Sequence, residues 1–235
     1  MRIDKFISEL GVASRKEATR VARAGGVIVN GVALKDLSGH IDPESASVIF
    51  QGRELTYKKF VYIMLNKPSG YVSATEDSKL PVVTELLPEE LRKRDLFPVG
   101  RLDRDTVGLM ILTNDGQSAH SLLSPKKHVE KKYFFRSAEP LPDGCEEKFS
   151  AGITLADGYE CKEAVIELEA SRDAGIITLT EGKYHQIKRM IASFGNKVVY
   201  LRRITFAEIP LDEKLQEGEW RYLSSEEEKN LLSHI

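Results

Sequence analysis

The apolar residues of this chain come in short runs, and that bounds its possible folds. The longest runs, such as Val61 to Leu65 and Gly108 to Leu112, are about five residues. A membrane-spanning helix needs roughly 20, so no span is expected. Runs of this length, bounded by Gly, Pro, Asn and Asp, read as short strands and short helices. The chain has 235 residues, 41% hydrophobic and 30% charged, enough for one medium domain or a small one plus a larger one. Disordered, collagen-like and low-complexity classes are excluded. The opening Met-Arg-Ile-Asp-Lys carries no apolar h-region, so no secretory signal is expected and the cytoplasm is the default. Cys145 and Cys161 make no metal-type spacing, and a structural zinc site is not expected.

Net charge is only -2, which by itself argues against a polyanionic partner. Its distribution argues the other way. Residues 1 to 35 hold seven bases against three acids, and residues 183 to 203 hold six bases and no acid. Acid collects at the end, where residues 207 to 235 hold eight carboxylates against three bases. Such segregation suits a nucleic-acid surface on a protein kept soluble elsewhere, although any one cluster by itself reads as a solvated face.

Ile3, Phe6, Ile7 and Leu10 fall on one face of a helix that Gly11 can end. Ser14 with Glu17 forms a capping box for a second helix, which Gly25-Gly26 closes. Asn30-Gly31 between two runs rich in valine predicts a hairpin, and a further strand is expected near Ser47 to Phe50. Residues 1–56 are therefore expected to form a small helix, helix, hairpin domain, with Arg15, Lys16, Arg20 and Arg23 along its second helix as a phosphate platform. Residues 57–60 read as a linker, and 61–235 as a larger domain. In that domain strands are expected at 61–65, 71–75, 109–113, 133–137, 164–168, 176–180 and 197–201. Helices are expected at 117–123, at 185–194 and from Ser225. Without regular strand-helix alternation, the expected class is α+β on a mainly antiparallel mixed sheet with flanking helices.

Three segments carry candidate chemistry. Gly100-Arg101-Leu102-Asp103-Arg104-Asp105-Thr106-Val107-Gly108 crowds charge beside an apolar strand. A partly desolvated carboxylate next to a base can act there as nucleophile or electrostatic stabiliser. The plain alternative is that Asp103 and Asp105 only cap turns and pair with Arg101 and Arg104. Lys131 to Arg136 interleaves aromatic and basic residues, as a base-stacking, phosphate-holding strand would, though core packing explains Phe134 or Phe135 better. Glu181 to Met190 makes a basic helix start suited to anions. His185 in it reads as a turn or cap residue and is not made catalytic.

Taken together and in this order, the segments resemble the pseudouridine synthases, in the branch that modifies bacterial ribosomal RNA. The resemblance rests on Lys67-Pro68-Ser69-Gly70, on Gly100-Arg101-Leu102-Asp103 with Thr106 and Gly108, on Lys131-Lys132-Tyr133, and on Gly182 through Met190. Ahead of these, Arg2 to Phe6, Ser14 to Ala18 and Val29-Asn30-Gly31 resemble the small RNA-binding domain of the S-four type. The resemblance implies isomerisation of uridine to pseudouridine with no cofactor and no metal, since nothing is added or lost. It implies Asp103 as the carboxylate facing the glycosidic carbon, with Asp105 pointing elsewhere. Tyr133 is implied to stack on the flipped base, and Lys188 to pair with the aspartate. Many relatives carry Arg at that position, whereas Lys occurs in the small-subunit branch. Arg101 is implied to fill the gap left by the base and Ile187 to pack under the uracil. Arg189, Lys131, Arg15, Lys16 and Arg20 are the remaining expected RNA contacts. The first-choice target is uridine 516 of 16S rRNA, free or in an assembly intermediate, acted on by a monomer. Second come 23S rRNA and tRNA. The rival classes are a non-catalytic ribosome-assembly factor and a hydrolase using Asp103 with Asp105.

Overall fold

Helix α1 (Ile3–Glu9) buries Ile3, Phe6 and Ile7, and α2 (Arg15–Arg23) starts at Ser14 with the complete capping box and buries Ala18 and Ala22. Together with β1 (Val27–Val29), β2 (Val32–Ala33), β3 (Val48–Phe50) and β4 (Arg53–Leu55) they form an antiparallel sheet of order β2-β1-β3-β4 under two helices. Both hairpins turn through left-handed pairs, Asn30-Gly31 and Gln51-Gly52, the geometry that matches strand twist. The core joins Phe6, Ile7, Ala18, Val27, Val48 and Phe50.

These residues belong to the first of two units in a computed structural model that describes residues 1–235; the unit comprises Met1–Val61 and Leu87–Leu96. The linker expected at 57–60 thus falls inside it, because Tyr57 stacks on Phe6 with ring centroids 5.5 Å apart. The segment 87–96, read from sequence as part of the larger domain, carries the short α3 (Glu89–Arg92) and buries Leu87, Leu91 and Leu96. At Gly11 a Cβ would lie 2.0 Å from the Glu90 carbonyl oxygen. The glycine that ends α1 therefore also makes room for this segment.

The second unit, Tyr62–Leu86 with Phe97–Ile235, contains β5 (Tyr62–Lys67), β6 (Phe97–Pro98), β7 (Val107–Thr113), α4 (Gly116–Leu123), β8 (Lys131–Ser137), α5 (Cys145–Ala151), β9 (Val165–Leu168), β10 (Ala174–Leu179), α6 (Gln186–Ala192), β11 (Val198–Phe206), β12 (Ile209–Pro210), β13 (Trp220–Tyr222) and α7 (Ser225–Ser233). They build one sheet of order β13-β5-β7-β11-β8-β10-β9, with β6 on β7 and β12 on β11. Only the β7–β11 pairing is parallel. β5 and β7 are buried along their whole length, as a strand covered on both faces must be. On one side Tyr62, Met64, Leu109 and Ile111 pack with Ala119 and Leu122 of α4 and Leu231 of α7. No helix is long and apolar enough to cross a membrane.

Residues 71–75 depart from expectation. They form only an isolated bridge, Val72 to Val82, and Ser73 turns its hydroxyl to the loop at residue 102 described below. β11 is longer than expected because Arg203, which looks polar in sequence, is 2% exposed and donates Nε to the Leu109 carbonyl at 2.7 Å. α5 was not anticipated.

Candidate active site

The loop from Gly100 to Thr106 enters the buried strand β7, so its carboxylates hang at the edge of the core. Three groups fix its shape. Ser73 closes a two-way bond with Leu102, accepting from its amide at 2.9 Å and donating to its carbonyl at 2.8 Å. Gly70 donates its amide to the Arg104 carbonyl at 2.8 Å. Lys67 is 0% exposed, and its ammonium donates to the carbonyls of Pro68, Arg104 and Thr106 at 3.1, 3.2 and 2.8 Å. Burial pushes this lysine down to about 8, while Asp105 and Asp103 pull it back up. A buried cation that meets only carbonyls grips the backbone of the loop and leaves both aspartate side chains free for other partners.

The turn from Asp103 to Thr106, closed by the Thr106 amide on the Asp103 carbonyl at 3.1 Å, brings Asp103 and Asp105 to the same cation. Lys188 Nζ lies 3.0 Å from Asp103 Oδ2 and 2.6 Å from Asp105 Oδ1. Asp105 therefore does not point elsewhere, as expected from sequence; the turn folds its side chain back. Burial lowers the Lys188 value, but its bonds to Asp105 and Asp103 outweigh this and hold it above the usual lysine range. For Asp105 burial acts upward, and the hydrogen bond and charge of Lys188 outweigh it, leaving the carboxyl below its ordinary range. On its other side Asp103 Oδ1 has His185 Nε2 at 3.5 Å.

Around this ion cluster lies a cleft walled by Tyr133, Leu179, Leu201 and Ile187, with Arg101 and Lys183 also on its lining. Tyr133, 9% exposed, comes from β8, and Ile187, 4% exposed, from α6. A cleft with apolar and aromatic walls on one part of its lining and a carboxylate held by an ammonium on another can take an uncharged ring attached to a sugar whose anomeric carbon gains positive character. Asp103, Tyr133, Lys188, Arg101 and Ile187 are thus brought together.

The other expected contacts are placed differently. Lys131 turns inward, donating to the Val129 carbonyl at 2.6 Å and facing the Phe206 ring, and burial lowers it to about 8. It does not line the cleft. Arg189 pairs with Asp157 at 2.5 Å. Arg15, Lys16 and Arg20 are exposed side by side on α2 of the first unit. Alternation along β8 buries Tyr133 and Phe135, while Phe134 is half-buried and Arg136 exposed.

Two positioning groups were missed. Glu181, 7% exposed, accepts from the Tyr159 hydroxyl at 2.8 Å, the Lys162 amide at 2.9 Å and Gln186 Nε2 at 2.6 Å. Gln186 in turn accepts from the Lys183 amide at 2.9 Å, so the start of α6, and with it Ile187 and Lys188, is tied to a buried carboxylate. Ser73 is the other. Neither lies in a pattern that sequence marks: Glu181 reads as one more turn acid, and a serine clamp 29 residues from its partner has no local signature.

Residues 61–193 match the family model described as RNA pseudouridylate synthase, and residues 1–45 match the S4 domain. The chain is 44% identical, over 99% of its length and 98% of the relative's, to an uncharacterized RNA pseudouridine synthase of Bacillus subtilis. It is 41% identical, over 97% of both chains, to the ribosomal small subunit pseudouridine synthase A of Vibrio cholerae. A solved pseudouridylate synthase superposes with a TM-score of 0.70 at 37% identity, covering 98% of this chain and 99% of the other.

Proposed function

The chain belongs to the RNA pseudouridylate synthases, isomerases that act on RNA, and from that premise we propose that it converts one uridine of small-subunit ribosomal RNA, uridine 516 of 16S rRNA, using Asp103. The observation that carries the residue assignment is the 3.0 Å contact of Asp103 with Lys188 beside a cleft walled by Tyr133 and Ile187. Similarity over nearly the whole chain to a relative named for the small subunit supports the target.

The reaction breaks the bond from N1 of uracil to the sugar C1′, turns the ring, and joins C5 to the same carbon; the hydrogen on C5 leaves and N1 gains one. Asp103 captures or stabilises the sugar carbon as it loses its base. Lys188 keeps that carboxylate aimed. Tyr133 stacks on the extruded uracil and can move a proton, with Ile187 packing beneath the ring. Flipping the nucleotide costs about a few kcal/mol, offset by Arg101 entering the vacated stack and by bases holding phosphate. Arg15, Lys16 and Arg20 on α2 anchor the RNA without reading its sequence. The protein acts as a monomer on 16S rRNA or a small-subunit assembly intermediate.

The test is pseudouridine mapping in ribosomal RNA from cells lacking the protein, with complementation by wild type and by Asp103→Asn. Loss at the single 16S position, restored only by wild type, is expected. Loss at a 23S or tRNA position instead would reassign the target. Restoration by the asparagine variant would remove Asp103 from the chemistry.

A further inference from the structure

Tyr184 is 73% exposed, more than any other large hydrophobic side chain of the protein. It is also held. Its ring stacks on the His185 ring with centroids 3.8 Å apart and planes 18° from parallel. Consecutive side chains ordinarily diverge, and here the left-handed backbone of His185, at φ 50°, sets the two rings face to face. Such a conformation costs a non-glycine residue free energy. The turn that imposes it is fixed by the Lys183 amide on Gln186 and, through Gln186, by buried Glu181. The inner ring of the pair, His185, lies 3.5 Å from Asp103 and lines the cleft. One face of the phenol is therefore covered by imidazole, and the other is presented to solvent beside the site, whose lining includes its chain neighbour Lys183 and, from the loop before β7, Arg101.

An RNA that gives up a nucleotide to this cleft leaves the bases next to it without a stacking partner. We propose that Tyr184 is a stacking shelf for the nucleotide adjacent to the extruded uridine. The inference rests on the RNA reading above and deepens it by naming a second point of base contact, outside the slot for the reacting base. Stacking on an aromatic face tolerates any base, so the shelf places the strand and adds affinity with little demand on sequence. Its geometry is set before RNA arrives, which limits the ordering cost of binding.

The test uses the full chain carrying Asp103→Asn, so that no turnover occurs, and a ribosomal fragment in which the wild-type enzyme forms pseudouridine. Failure of the 16S assignment would change the fragment and leave this test standing. Two versions of the fragment carry 2-aminopurine on the 5′ or the 3′ side of the target uridine, and its fluorescence is quenched by stacking. The expected result is quenching at one of the two positions, kept by Tyr184→Phe and Tyr184→Trp. Tyr184→Ala is expected to lose it, with affinity reduced about 5- to 100-fold. Unchanged quenching and affinity in the alanine variant would overturn the proposal. So would a phenylalanine variant as weak as alanine, since the hydroxyl and not the ring face would then carry the contact. Because Tyr184 contributes almost nothing to the core, all three variants are expected to melt with the parent chain.

Discussion

Lys188 serves two carboxylates, and the two are separable by mutation. Removing its charge with Lys188→Met takes away the group that aims Asp103 and is expected to lower kcat by about 10²- to 10³-fold, read as tritium released from RNA labelled at uridine C5. Asp105→Asn should leave kcat near neutral pH within a factor of a few. It removes one of the groups that hold the lysine above its usual range, so the alkaline limb of kcat/KM should move to lower pH; an unmoved limb would mean that Asp105 does not share the cation in solution. Lys67 behaves oppositely. Its folded value, lowered to about 8 by burial, lies below the ordinary 10.5. Between these two values the unfolded chain binds more protons than the native one, so the contribution of Lys67 to stability rises with pH across that window. Denaturant titrations of wild type and Lys67→Met should differ by an amount that grows from about pH 8 upward, and a constant difference would contradict the assignment.

At the level of elements, the parallel contact of β7 with β11 depends on Gly108. Its φ is +98°, and a Cβ there would fall 2.3 Å from the Arg203 carbonyl oxygen. Gly108→Ala is expected to cost about 2 kcal/mol or more in urea unfolding, with loss of activity as the loop before it shifts. Ser73→Ala leaves both backbone groups of Leu102 unpaired and should cost about 1 to 3 kcal/mol, with a lower kcat from a looser loop. Local signals made much of this fold readable. The capping boxes at Ser14 and Ser224 and the Asn30-Gly31 turn form within a few residues and survive folding unchanged. Elements whose cause is distant were not readable. α5 starts at Gly144 without a side-chain cap, and β4 is too short and charged to stand out. In the site, residue types and order pointed to Asp103, Tyr133 and Lys188, but the direction of Asp105 depends on a turn, and the inward course of Lys131 depends on the Val129 carbonyl and on Phe206 across the sheet. Periodicity does not encode either.

At the scale of the whole molecule, RNA affinity should fall steeply with salt, because exposed Arg and Lys displace counterions from phosphate. A filter-binding series from low to physiological salt that stayed flat would count against α2 as an anchor. A chain beginning at Tyr62 loses the partners of Leu87, Leu91 and Leu96, all buried in the first unit. It should bind apolar dyes and aggregate, whereas the intact chain should not. The same connectivity means that the polypeptide passes between its units at residues 61–62, 86–87 and 96–97. A single protease nick after Val61 would break the chain yet leave the fragments associated under native conditions, since the decapeptide stays behind as a captive piece. A copy of the N-terminal module grafted elsewhere would therefore keep its apolar centre but lose the backbone that packs against Gly11, unless the internal segment travels with it.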